Sequence, residues 1–135
     1  MYVQPYVHFE GRCEEAIEFY KTALGAKVTM LMRFKDCPEP MPGMHPANGD
    51  KVMHASMTIG DSVLLMSDGR CQGAVSFKGF SLAISVPSDA DAKRVFEALA
   101  EGGKIGMPLT KTFFSSSFGM VADRFGMGWM VLVAH

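Results

Sequence analysis

The stretch KVMHASMTIGDSVLLMSDG, residues 51–69, reads as two short strands joined at Gly60-Asp61. A Gly-Asp pair between two strand-like segments is a two-residue hairpin signal. With that turn, Ile59 pairs with Ser62, Ser56 with Leu65 and His54 with Ser67. Strand side chains alternate between faces. One face then carries His54, Ser56, Thr58, Val63, Leu65 and Ser67. The other carries Met53, Met57, Leu64 and Met66 and is expected to face a helix as core. The lone histidine inside the first strand is the chemical question that this hairpin raises.

Outward from the hairpin, residues 5–10 (PYVHFE) read as a strand. In GRCEEAIEFYKTALGA, Cys13, Ala16, Ile17, Tyr20 and Leu24 recur at helical spacing and predict one buried face. Glu14 and Glu15 sit in the first turn, where the helix dipole favours them, and Gly25 closes the helix. KVTMLMRF predicts the next strand. KDCPEPMPGMHPANGD, rich in proline and glycine, predicts a loop. The second half repeats the order. FSLAISV is a strand, and SDADAKRVFEALAEGG is a helix with Ser88 as N-cap and Asp91 completing a capping box. Its buried stripe is Ala92, Val95, Phe96 and Leu99. KIGMPLTKTF, FGMVAD and MGWMVLVAH follow as strands, the last entered through the RFG turn. The order is therefore βαβββ twice, an α+β chain of two modules, about 1–70 and 78–135. One helix covers only one face of such a sheet, so the second module or another chain must close the other. Two such sheets forming a curved mixed sheet would leave a cleft suited to small molecules.

Composition sets the outer limits. The 135 residues fit a single domain, and 48% hydrophobic with 20% charged residues places the chain among globular proteins. A net charge of -1 without a basic block gives no support for nucleic-acid binding. No apolar run approaches the ~18 residues of a membrane span. The N-terminal segment does not read as a signal peptide, so a cytoplasmic location is expected. Cys13, Cys37 and Cys71 are odd in number and form no C-x-x-C, against both a disulfide framework and a cysteine zinc site. Twelve methionines read either as core filler or as the lining of an adaptable binding surface.

Paired βαβββ modules resemble the vicinal oxygen chelate superfamily of glyoxalase I, extradiol dioxygenases and bleomycin- or fosfomycin-resistance proteins. EEAIEFYKTALGAKV is similar to that superfamily's first helix. PYVHFEGRCEEAIEFY, MHASMTIGDSVLLMSD, GFSLAISV and KTFFSSSFGMVADRFGMGWMV resemble segments of its PhnB-like branch. That branch is often labelled a demethylubiquinone methyltransferase domain. This chain has no Gly-rich strand-to-helix loop of the kind that cradles S-adenosylmethionine, so the label is not carried over. The resemblance implies four metal-ligand positions, which fall here on Pro5, Leu65, Ser81 and Met130. Proline offers no side-chain donor, leucine is apolar, and methionine is too soft for the divalent ions involved. No metal or other cofactor is therefore expected, against the usual glyoxalase and dioxygenase chemistry.

By the same resemblance Leu65 faces the cleft, and His54, Ser56, Ser67, Ser81 and Met130 are placed there with it. His54 then reads either as a core histidine bonded to a neighbour or as an acid or base toward a substrate. His8, opposite in parity to Pro5, is expected to face the first helix. His45 could reach over the cleft from the loop at 35–50, and His135 is expected to be solvated. Glu10 and Arg12 read as surface charges, and Arg124 reads either as a surface ion pair or as a group that meets an acidic substrate. FFSSSFG, residues 113–119, reads as a polar loop near the cleft mouth without a nucleophile motif. Asp123 is expected to cap the DRFG turn, and Trp129 to be buried with its N–H satisfied. The reading favoured is a metal-independent small-molecule-binding protein, assembled as a homodimer. The alternatives are a lyase or isomerase, or dioxygenase-related enzyme, using His54 as acid or base, and a degenerate interaction subunit.

Overall fold

The computed structural model describes residues 1–39, 48–71 and 73–134. The chain divides into two compact units, Met1–Val75 and Ser76–His135. The first holds β1 (Tyr6–His8), α1 (Cys13–Leu24), β2 (Lys27–Arg33), a 3-10 turn (Phe34–Asp36), β3 (Val52–Ile59) and β4 (Ser62–Ser67). The second holds β5 (Leu82–Val86), α2 (Asp89–Ala100), β6 (Lys104–Thr110), β7 (Phe118–Ala122) and β8 (Gly128–Val133). Each unit is βαβββ with a four-stranded mixed sheet, in the orders β1-β4-β3-β2 and β5-β8-β7-β6. The outer strand of each βαβ crossover pairs in parallel, β1 with β4 and β5 with β8, and the other pairs are antiparallel.

The β3–β4 hairpin has the register that its Gly-Asp turn predicts, with Ile59 opposite Ser62 and Ser56 opposite Leu65. Ala55, Met57, Leu64 and Met66 are buried on one face, together with Val7 of β1. Each such large apolar side chain contributes roughly 1.5–3 kcal/mol through burial. α1 covers that face with Cys13, Ala16, Ile17, Tyr20 and Ala23. Tyr20 meets the ring of Phe9 at 6.3 Å between centroids. Ala23 is buried and Leu24 half-buried, one position away from the expected stripe. Gly25 closes the helix in the left-handed region, φ +66°, its N–H donating to the Tyr20 carbonyl.

Three expectations are corrected in this unit. Met53 is half-buried, and Val52 takes the core position at 0% exposure. A register shift between Met32 and Arg33 of β2, opposite His54 and Val52, makes Met53 the extra residue of a bulge. β1 is shorter than residues 5–10. The chain turns out of it at Glu10 and Gly11, both at positive φ, to start α1. His8 does not face the helix. Val7 is buried between exposed Tyr6 and His8, which puts both rings on the opposite face.

The second unit follows its sequence pattern more closely. Ser88 caps α2, its hydroxyl oxygen accepting from the Asp91 N–H at 3.1 Å. Ala92, Val95, Phe96 and Leu99 form the buried stripe, against Val121, Trp129, Val131 and Val133. Gly119 permits the close approach: a Cβ there would lie 2.7 Å from Phe96 Cε2. Pro108 interrupts β6, an edge strand, where a missing N–H is tolerated.

Candidate functional site

The face of the first sheet turned away from α1 is ordered in rows by strand register. Tyr6 pairs with Leu65, Leu65 with Ser56 and Ser56 with Met30. One step along, His8 pairs with Ser67 and His54 with Met32. The face thus presents an aromatic edge on β1, a histidine on β3 and two methionines on β2. His54, Ser56 and Leu65 are half-buried on it, as the hairpin reading predicts.

Tyr6 organises the corner. Its hydroxyl lies 2.9 Å from His54 Nδ1. Its ring sits between two imidazoles, with centroids 5.1 Å from His8 and 5.5 Å from His54. Burial raises the Tyr6 phenol above its ordinary value, while the Ser67 hydroxyl acts in the opposite direction and the Cys13 thiol adds to the rise. The phenol can donate or accept in this bond; where it donates, His54 Nδ1 accepts and the imidazole carries its proton on Nε2. That N–H is the polar group with which the pair can meet a bound molecule.

Ser67 does not take the role expected of it. It is 4% exposed. Its hydroxyl accepts from the Gly69 N–H at 2.9 Å and lies 3.4 Å from the Val52 carbonyl. The ladder runs from Ile59–Ser62 to Ala55–Met66, and beyond it the Asp68 N–H bonds to the Val52 carbonyl. Ser67 is thus a support of the hairpin end rather than a lining group. Asp68 beside it is 1% exposed and binds three backbone donors. Its Oδ1 accepts from Gly11 and Cys13 at 2.8 and 2.7 Å, and its Oδ2 from Val52 at 2.8 Å. This carboxylate fixes the entry to α1 and the start of β3, and so positions β1 and His54 together.

In the second unit, the face turned away from α2 carries Ser81, Ala83, Met120 and Met130, with Ala83 opposite Met130 and Met130 opposite Met120. Ser81 borders a shallow cavity of about 350 Å³ with Gly106, Met120 and Gly128. A larger open groove of about 770 Å³ runs between α2 and β6 over Phe96, Ile105 and Leu109.

Leu65, Ser81 and Met130, three of the positions compared with superfamily metal ligands, lie on these open faces. Pro5 precedes β1, and its carbonyl accepts from Leu65 N–H. A leucine, a thioether, a serine hydroxyl and a proline do not fit a divalent ion. Among the described residues no three His, Cys, Asp or Glu side chains converge as metal ligands.

The remaining candidates are structural. Cys13, Cys37 and Cys71 are free thiols. Burial, reinforced by the Asp68 carboxylate, pushes the Cys13 and Cys71 thiols up, away from reactive thiolate. Arg12 pairs with Glu15 on the surface. Ser115 is buried, its hydroxyl bridging the Ser117 and Val133 backbones. Asp123 caps the DRFG turn through the Phe125 and Met127 N–H groups and accepts the Trp129 indole N–H at 2.9 Å. His45, His135 and residues 40–47 of the loop lie outside the described residues.

Over residues 3–131 the chain matches the family model of the Glyoxalase/Bleomycin resistance protein/Dioxygenase superfamily. It is 34% identical over 140 residues to Protein YjdN of Escherichia coli (strain K12), covering 98% of this chain and 95% of that one. Among solved structures it is similar to protein PA1353 from Pseudomonas aeruginosa, with TM-score 0.86, 41% identity and 99% and 98% of the two chains covered. A PhnB protein from Bacillus cereus is also similar, with TM-score 0.80, 26% identity and 99% and 100% coverage.

Proposed function

The chain belongs to the Glyoxalase/Bleomycin resistance protein/Dioxygenase superfamily, and on that premise we propose that it is a PhnB-like, metal-independent small-molecule-binding protein. The observation that carries the reading is the Tyr6–His54 pair, a fixed hydrogen bond set on a sheet face of Leu65, Met30 and Met32. An apolar surface with few oriented polar groups is the usual make-up of a ligand site. Methionine thioethers adapt to ligand shape. The poor donors at Pro5, Leu65, Ser81 and Met130 support binding without a metal. We further propose that the protein works as a homodimer in the cytoplasm, where its three thiols stay reduced. A thermal-shift screen of small metabolites on chelator-treated protein tests the reading. Ligands that raise Tm without added metal are expected, and His54→Ala is expected to weaken them by no more than ~1–3 kcal/mol.

A second reading has its own observation. A histidine held by a tyrosine hydroxyl at 2.9 Å is also the arrangement of an oriented acid or base. Under this reading His54 would act in a lyase or isomerase step on an oxygenated metabolite. His54→Ala would then lower turnover by about 100-fold or more with the fold intact.

A further inference from the structure

We propose that the open face of the first sheet selects an organic anion, an apolar body against Leu65, Met30 and Met32 with an oxyanion head at His54 Nε2–H. This rests on the binding reading above and adds the ligand's charge class.

The argument is the charge inventory of the face. The strand rows place Tyr6, His8, Lys27, Met30, Met32, His54, Ser56, Thr58, Val63, Leu65 and Ser67 there. Every titratable group in that set is neutral or cationic, and among the described residues of these rows there is no carboxylate. Three acids of the unit have partners away from these rows. Asp68 spends its oxygens on Gly11, Cys13 and Val52 behind the face. Glu14 pairs with Arg33, and Asp50 with Lys35. Glu10 is an acid that comes near His8 at the end of β1. A Cβ built on Gly69 would lie 3.0 Å from Glu10 Oε1 and 3.2 Å from His8 Cδ2, so this carboxylate stands beside His8. Around His54 itself stand Tyr6 from β1 and Met32 from β2.

With the Tyr6 hydroxyl donating to Nδ1, Nε2 carries the imidazole proton and is the nitrogen left to donate to a ligand. A donor on a half-apolar face whose strand rows carry no carboxylate favours an ionised acceptor, since charge-assisted bonds are roughly twice as strong as neutral ones. An oxyanion at Nε2 also favours the imidazolium, in which Nδ1–H donates to the Tyr6 oxygen instead of accepting from it, so affinity is tighter at low pH.

Matched aryl carboxylates and their primary amides, benzoate with benzamide and naphthoate with naphthamide, titrated calorimetrically into the full chain at about pH 6 and about pH 8, test this. The acid of each pair is expected to bind on the order of tenfold tighter than its amide, with the ratio larger at the lower pH. His54→Ala, checked for fold by circular dichroism, is expected to bring acid and amide to equal affinity. Equal affinity in the unchanged protein overturns the anion assignment and leaves the binding reading standing. An acid preference that survives His54→Ala overturns the placement at His54. Absence of binding by every acid and amide overturns the proposal, and thermal shifts by neutral metabolites would show that the binding reading survives it.

Discussion

Replacing Asp68 by asparagine removes one acceptor from a buried three-bond hub. Three backbone N–H groups, of Gly11, Cys13 and Val52, converge on its carboxylate at 2.8, 2.7 and 2.8 Å. In Asp68→Asn the amide oxygen can keep Gly11 and Cys13, but the amide NH2 then faces the Val52 N–H. Losing one hydrogen bond to a charged group costs roughly 1.5–3 kcal/mol, and the Val52 donor is left unsatisfied in the interior. The two surviving bonds lose their charge assistance. Relief of a buried charge offsets part of this, leaving a net loss of about 3 kcal/mol. Urea unfolding followed by far-ultraviolet circular dichroism measures it. With a slope of about 1–3 kcal/mol/M, the midpoint should fall by about 1 M or more. Amide NMR signals of Gly11, Cys13 and Val52 should move most. An unfolding free energy within about 0.5 kcal/mol of the unchanged protein, with those three amides unmoved, would refute the hub.

Tyr6→Phe should release His54 Nδ1, and the imidazole 15N spectrum should change from one tautomer to a mixture; stability should fall by about 0.5 kcal/mol, since the bond is exposed to water. Gly119→Ala should lower stability by roughly 1–3 kcal/mol, read as a lowered Tm, because its Cβ would lie 2.7 Å from Phe96 Cε2. Tyr6 should ionise above the ordinary tyrosine value in an ultraviolet titration. The folded chain then binds more protons than the unfolded one near pH ~10, so this contribution is present below that pH and is lost as pH rises through the folded value. His54→Ala should leave the fold intact, since the side chain is half-buried on an open face, and should change ligand affinity rather than Tm of the free protein.

The elements with a strong period were legible. The hairpin register follows from one Gly-Asp turn, and α2 was read to its cap and stripe because nothing disturbs its 3.6-residue repeat. The corner that makes the site was not. β1 has three residues, too few for its own alternation to fix a face. Parity taken from Pro5 turned His8 toward the helix and hid Tyr6, although apolar Val7 between two rings was the signal for the opposite choice. Val52 and not Met53 takes the core position because a bulge breaks the period of two, and the bulge lies where Asp68 binds Val52. Ser67 sits on the predicted face, yet its bonds to backbone make it structural. Three-dimensional closure by a distant carboxylate leaves little trace in a single sequence beyond the S-D-G that begins at the last residue of β4.

The most direct test of the central claim is an NMR titration of chelator-treated protein carrying 13C-methyl methionine and 15N histidine, with a ligand found by thermal shift. The account predicts that Met30, Met32 and His54 signals move together, saturably and without metal. Signals that respond only after a divalent ion is added, or that move elsewhere while these three stay fixed, would contradict it.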